Sequence, residues 1–228
     1  MAISLAHQYT LSTTSKVTTT NTITAAPSKD IIIISARSWD EVDSKPGISS
    51  IALSSASFAK LGSANFNANL VTEIWWAQAT ATTGTTLVIT WAGSNSAVAV
   101  NIADLTGASI VTTTDASTVL TTNTSSTENL TTGTYTATNT DLLLAAAGVF
   151  SNVAFAFGAS PASPWNDLTN VVTTDIGIGA AWQVNSAGTY TATWTTTASI
   201  ANYQTVIGGL LLNVNVKNHY FACLGAGG

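Results

Sequence analysis

Roughly one residue in six of this chain is threonine, and a β-branched side chain fits a pleated strand better than a helix. The apolar residues reinforce that choice. They come in short runs or in alternation, bounded by Gly, Asn, Ser or Pro, and no segment carries a capped amphipathic period of 3.6. Strand candidates fall at 17–24, 31–39, 48–54, 70–79, 85–92, 97–105, 134–138, 141–150, 152–157, 175–185, 188–195 and 203–216. The run opening at Ile31 is continuously apolar, as a strand covered on both faces would be. At 228 residues, the pattern predicts an all-β fold: a single jelly-roll-like antiparallel β-sandwich with little helix.

Charge decides which partners such a fold can have. Lys and Arg total 6 and Asp and Glu total 11, so 7% of the chain is charged, against about 25% in ordinary soluble domains. Between Lys60 and Lys217 there is no Lys or Arg, only Glu73, Asp104, Asp115, Glu128, Asp141, Asp167 and Asp175. Nucleic-acid binding needs cations to displace counterions, and an anionic membrane surface needs them too. Neither partner is expected. No apolar stretch approaches the roughly 20 residues of a spanning helix. The opening Met1-Ala2-Ile3-Ser4-Leu5-Ala6-His7 has no basic n-region, from which no secretion signal is expected. A lone Cys223 offers no internal disulfide and no cysteine zinc site.

The two halves of the chain rhyme. Asp30-Ile31-Ile32-Ile33-Ile34 is answered by Asp141-Leu142-Leu143-Leu144, and Ile74-Trp75-Trp76-Ala77-Gln78-Ala79 by Gly179-Ala180-Ala181-Trp182-Gln183-Val184. A turn glycine and a strand with one tryptophan follow in each: Gly84 with Trp91, then Gly188 with Trp194. Each half closes on an aliphatic strand, at 97–102 and 205–212. The expected division is an N-terminal arm at 1–28 and a sandwich at 29–216, with a C-terminal tail at 217–228. Pseudo-repeated halves at 29–111 and 140–216 flank a Thr-rich connection, 112–139, that holds one or two exposed strands. The arm is β-prone enough to add a strand to the sheet edge of a neighbouring copy.

The succession Glu73-Ile74-Trp75-Trp76-Ala77, Gly-Thr turn, Thr86-Leu87-Val88-Ile89-Thr90-Trp91 resembles β-sandwich structural proteins of tailed-phage virions. So does Ser186-Ala187-Gly188-Thr189-Tyr190-Thr191-Ala192-Thr193-Trp194 with its closing aliphatic strand. The resemblance covers roughly Asp30 to Asn215 and is one of strand texture. It implies a structural or adhesive role in a capsid decoration, tail or fibre protein, and it carries no catalytic residue.

The densest charge cluster is Arg37, Asp40, Glu41, Asp43 and Lys45. Three carboxylates within four residues suit Ca²⁺ by type, but the spacing fits no EF-hand loop and the flanking cations compensate the charge. The cluster is therefore read as an intersubunit contact, with no metal. Of seven tryptophans, Trp165 in Pro161-Ala162-Ser163-Pro164-Trp165 is the candidate exposed aromatic on which a host-surface glycan would stack. His7 and His219 have no nucleophile motif beside them, Gly-x-Ser-x-Gly is absent, and the acids are scattered singly. No catalytic residue and no cofactor is assigned. Asn123-Thr124-Ser125 and Asn129-Leu130-Thr131 match glycosylation sequons, read as chance without a secretion signal. The expected protein is a non-enzymatic virion component, made in a host cytoplasm. It forms trimers or larger rings with itself and contacts other virion proteins such as the major capsid protein. A carbohydrate-binding module is the alternative.

Overall fold

The computed structural model describes residues 3–14, 16–41, 46–95, 97–107, 110, 118–123, 127–151, 154–159, 161–162 and 164–212. The first half of the chain supplies β1 (Ser4–Thr13), β2 (Lys16–Thr22), β3 (Ile31–Trp39), β4 (Ile48–Ala52), β5 (Ala59–Phe66), β6 (Leu70–Gln78), β7 (Thr86–Asn95) and β8 (Ala97–Thr106). The second supplies β9 (Val119–Asn123), β10 (Thr127–Thr131), β11 (Tyr135–Ala137), β12 (Asp141–Phe150), β13 (Asn166–Val172), β14 (Ile176–Asn185), β15 (Gly188–Tyr190), β16 (Thr193–Ile200) and β17 (Asn202–Leu211). Among the described residues there is no helix, and every named strand pair is antiparallel.

The strands form layers rather than one two-sheet sandwich. A five-stranded sheet in the order β1-β8-β3-β6-β5 faces another in the order β13-β14-β12-β17-β9. Ile31, Ile33, Ile74, Ala99 and Leu105 of the first meet Leu142, Leu144, Ala146, Ile178 and Leu210 of the second in one core. The first sheet's opposite face, with Ile32, Ile34, Val100 and Ile102, is covered by the sheet β2-β7-β4 through Ile48, Leu87, Ile89 and Trp91. The second sheet's opposite face, with Leu143, Ala145, Val149 and Ile207, lies under β10-β16 and β11-β15 through Leu130, Tyr135 and Trp194. The expected single sandwich is corrected to this four-layer stack. The reason is area: two central sheets bury both faces, so β3, β8, β12 and β17 are buried along almost their whole length.

Read from β1 and from β9 respectively, the central sheets pass through their strands in matching chain positions. Their registers agree as well. Ile33 on β3 pairs with Trp76 and Ala103, and Leu144 on β12 pairs with Trp182 and Gly208. Ile31 lies beside Leu105 and Leu142 beside Leu210.

This order relocates two expected segments. In the N-terminal segment expected as an arm or strands, β1 hydrogen-bonds its own chain's β8, and β2 its own β7. The Thr-rich connection likewise contains β9, β10 and β11, which pair with β17, β16 and β15. Exposed Thr on one face and Leu or Tyr on the other is what an edge strand needs; Leu130 and Tyr135 are fully buried. The tail at 217–228 lies outside the described residues.

Candidate functional site

Four polar places stand out, and each is built on a strand of a central sheet. On the inner face of β3, odd-numbered side chains point between the two central sheets. Arg37 is one of them and is wholly buried. Its Nε donates to the Val149 carbonyl at 3.3 Å and its Nη1 donates to Thr72 Oγ1 at 3.0 Å and to Gln204 Oε1. Burial lowers its pKa to about 9. Gly148 makes the room: a Cβ there would lie 2.9 Å from Arg37 Cδ and would collide with Thr72 Oγ1.

On the outer face of β6, Glu73 is also fully buried. It accepts from the Ile48 backbone N–H, and Lys60 Nζ lies 2.8 Å from its Oε2. The same ammonium sits 4.8 Å from the Trp75 ring centroid. At the far edge, His7 Nδ1 of β1 lies 3.2 Å from Asp104 Oδ2 of β8. Burial raises the Asp104 pKa and the nearby Asp30 adds to it, while His7 opposes both. Beside the Trp39–Phe150 ring pair, 5.2 Å between centroids, lies a pocket of about 200 Å³ lined by Phe150, Ser151, Ser199, Ala201 and Asn202. It carries no titratable side chain.

The expected charge cluster does not come together as a surface patch. Arg37 and Asp40 are fully buried within the chain, and Glu41 is exposed. Arg37 and Asp40 therefore cannot face another subunit; alternation along β3 turns Arg37 to the inner core. Asp43 and Lys45 lie outside the described residues. Trp165 is half-buried rather than free: it packs on the outer core of the second half, and its indole N–H donates to the Thr191 carbonyl at 2.9 Å. Among the described residues no three His, Cys, Asp or Glu side chains gather as a metal site, and no helix is long and apolar enough to cross a membrane.

Sequence reasoning missed Glu73, Asp104 and Gln204. A lone acid inside an apolar strand was the available signal, since burial requires a partner. What it could not supply was the partner, because Lys60 and His7 come from other strands. The consequence is global. Six charged residues, Asp30, Arg37, Asp40, Glu73, Asp104 and Asp141, are buried, so a surface of 10078 Å² carries at most 11 of the 17 formal charges. The outward faces are hydroxyl-rich, as in the Thr131–Thr193 hydroxyl pair at 2.9 Å. Leu5, Val17, Leu120, Val172 and Val184 are exposed among them. Compared with known protein families, with curated proteins and with solved structures, the chain matches none.

Proposed function

We propose that this is a non-enzymatic structural protein that works by assembling with copies of itself, as a decoration protein on the exterior of a tailed-phage capsid. The order 1-8-3-6 in one sheet of the first half against 2-7-4 in the other supports a jelly-roll-like body, the second half being set against it. A tail or fibre component is the nearest variant of the same role.

The observation that carries the reading is the surface charge. A free monomer relies on charge for solubility, and this chain spends about a third of its charges inside. A skin of hydroxyls and isolated aliphatics suits packing against like copies, where many weak contacts add through symmetry and repulsion among crowded subunits is small. With only 6 Lys and Arg in the chain, a position away from a packaged genome is the one this reading supports.

Size-exclusion chromatography with light scattering on the full chain tests this. The expected result is a trimer or larger closed ring whose mass is unchanged between low and high salt, since few ion pairs hold it. Labelling of purified particles with an antibody against the chain should then decorate head surfaces. A stable monomer at micromolar concentration that binds glycans would replace the assembly reading with the carbohydrate-binding one.

A further inference from the structure

Across the middle of the two facing sheets runs one row of side chains from each. In the first sheet, Arg37 of β3 has Thr72 of β6 on one side and Ala99 of β8 on the other. In the second, Gly148 of β12 has Ile178 of β14 and Gln204 of β17. The positions correspond strand for strand, so Arg37 answers to Gly148, Thr72 to Ile178 and Ala99 to Gln204. All six are buried, or, for Gly148, set against a buried neighbour.

The sheets are stacked so that β6 lies over β17 and β8 over β14. That is the stacking a local two-fold axis along β3 and β12 would give, with inner-face residues of β3 meeting their own counterparts. Trp39 meets Phe150 in this way, and Arg37 meets Gly148. Near such an axis identical residues would face themselves. Here they differ, and the differences are complementary. Thr72, Arg37 and Gln204 form one hydrogen-bonded cluster on one side of the axis, and Ala99 and Ile178 lie on the other.

We infer that this row is a pairing code: the inner face of each half is an interaction surface whose partner is the other half and not a second copy of itself. Two first halves would place Arg37 against Arg37, two buried cations with no anion between them, which costs several kcal/mol per charge in a protein interior. Two second halves would set Gly148 against Gly148, leaving a void, and Gln204 against Ile178, leaving the Gln204 amide oxygen without its donor as well. Only the unlike pairing fills the space and gives Arg37 Nη1 its acceptor on the other sheet, Gln204 Oε1. In a particle crowded with copies, that restricts each half to its own chain's partner and leaves the outer surfaces for assembly. The inference stands on registers and contacts, and does not depend on what the outer surfaces assemble into.

The test exchanges the code in the full chain. One variant carries Arg37→Gly and Gly148→Arg alone. A second adds Thr72→Ile, Ile178→Thr, Ala99→Gln and Gln204→Ala, which rebuilds the whole cluster on the opposite side of the axis. Cooperative thermal unfolding is expected within a few degrees of the parent for the complete exchange, and roughly 10 °C lower or absent for the partial one. If the complete exchange is no more stable than the partial one, including the case in which neither folds, the row is not a symmetric code and the inference falls.

Discussion

The two halves solve one packing problem with different side chains. In the first, the outer layer is a hydrogen-bonded sheet, β2-β7-β4, and the central sheet carries the buried charges Asp30, Arg37, Asp40, Glu73 and Asp104. In the second, the outer layer is broken into β10-β16, β11-β15 and an isolated bridge from Phe157 to Thr196, and the central sheet buries only Asp141 among its charges. The second half has glycine where the first has bulk or charge. Gly148 faces Arg37, and Gly209 yields the space into which the Asp141 carboxylate and the Tyr135 hydroxyl project, 3.3 Å apart. Strand order therefore constrains where a side chain sits, while the neighbour across the sheet decides what it can be.

The largest expected effect tests whether the outer layers are equivalent. Trp91 and Trp194 are both essentially buried, one in each outer core. Trp91→Ala and Trp194→Ala should each cost about 3–5 kcal/mol in chemical denaturation. A loss at Trp194 well below that at Trp91 would mean the broken outer layer relaxes around the void and the halves are not equivalent in packing.

Arg37→Ala should cost about 3 kcal/mol or more, since it empties a filled site and strands the Gln204 carboxamide. Arg37→Met, which keeps the volume without the charge, should lie within about 1 kcal/mol of the parent. The pH dependence has a definite sign. The Arg37 pKa is lowered on folding to about 9 from an ordinary 12.5, so the unfolded chain holds the proton more tightly and the penalty is complete below about 9. Above that pH the parent should gain stability relative to Arg37→Met, and a flat difference from pH 8 to about 11 would mean that the buried guanidinium keeps its proton over that range.

Lys60→Ala leaves the fully buried Glu73 carboxylate with the Ile48 N–H and no cation; a loss of about 1–3 kcal/mol is expected in urea unfolding. The smallest effect belongs to Asp104, whose counterpart is Gly209. Its pKa is raised on folding, by burial first, so its contribution is most favourable below the ordinary carboxylate pKa of 3.8 and is lost as pH rises through the folded value. Relative to Asp104→Asn, the parent should therefore be most stable in acid and lose ground toward neutrality. The opposite trend would make the His7 bond, not desolvation, the dominant influence.

How far the chain could be read without coordinates depends on the residue. The runs at Ile31 and Leu142 announce buried strands, because only a strand with no solvent face has no reason to alternate, whereas 97–102 and 205–212 read as alternating and proved to be covered on both faces as well. The rhyme of the two halves is also legible, from the aliphatic, tryptophan and glycine order, though by position it sets Ala77 against Trp182; only the registers align Trp76 with Trp182. The sites were not. Arg37 stands in sequence beside Asp40 and Glu41, which suggested a surface cluster, yet its partners Thr72, Val149 and Gln204 are 35, 112 and 167 residues away. Trp165 sits among prolines, which suggested an exposed loop, but its indole N–H found the Thr191 carbonyl.

By itself the sequence determined that the chain would be strands, that its interior would be aliphatic and that little charge would reach the surface, since these follow from side-chain branching, period and count. Tertiary structure decided the number of layers and the destination of each charge. Whether a 10-residue apolar strand has one sheet or two upon it, and whether a lone arginine meets water or a glycine, is settled by which distant strand lies across the core; local propensity contains no term for that.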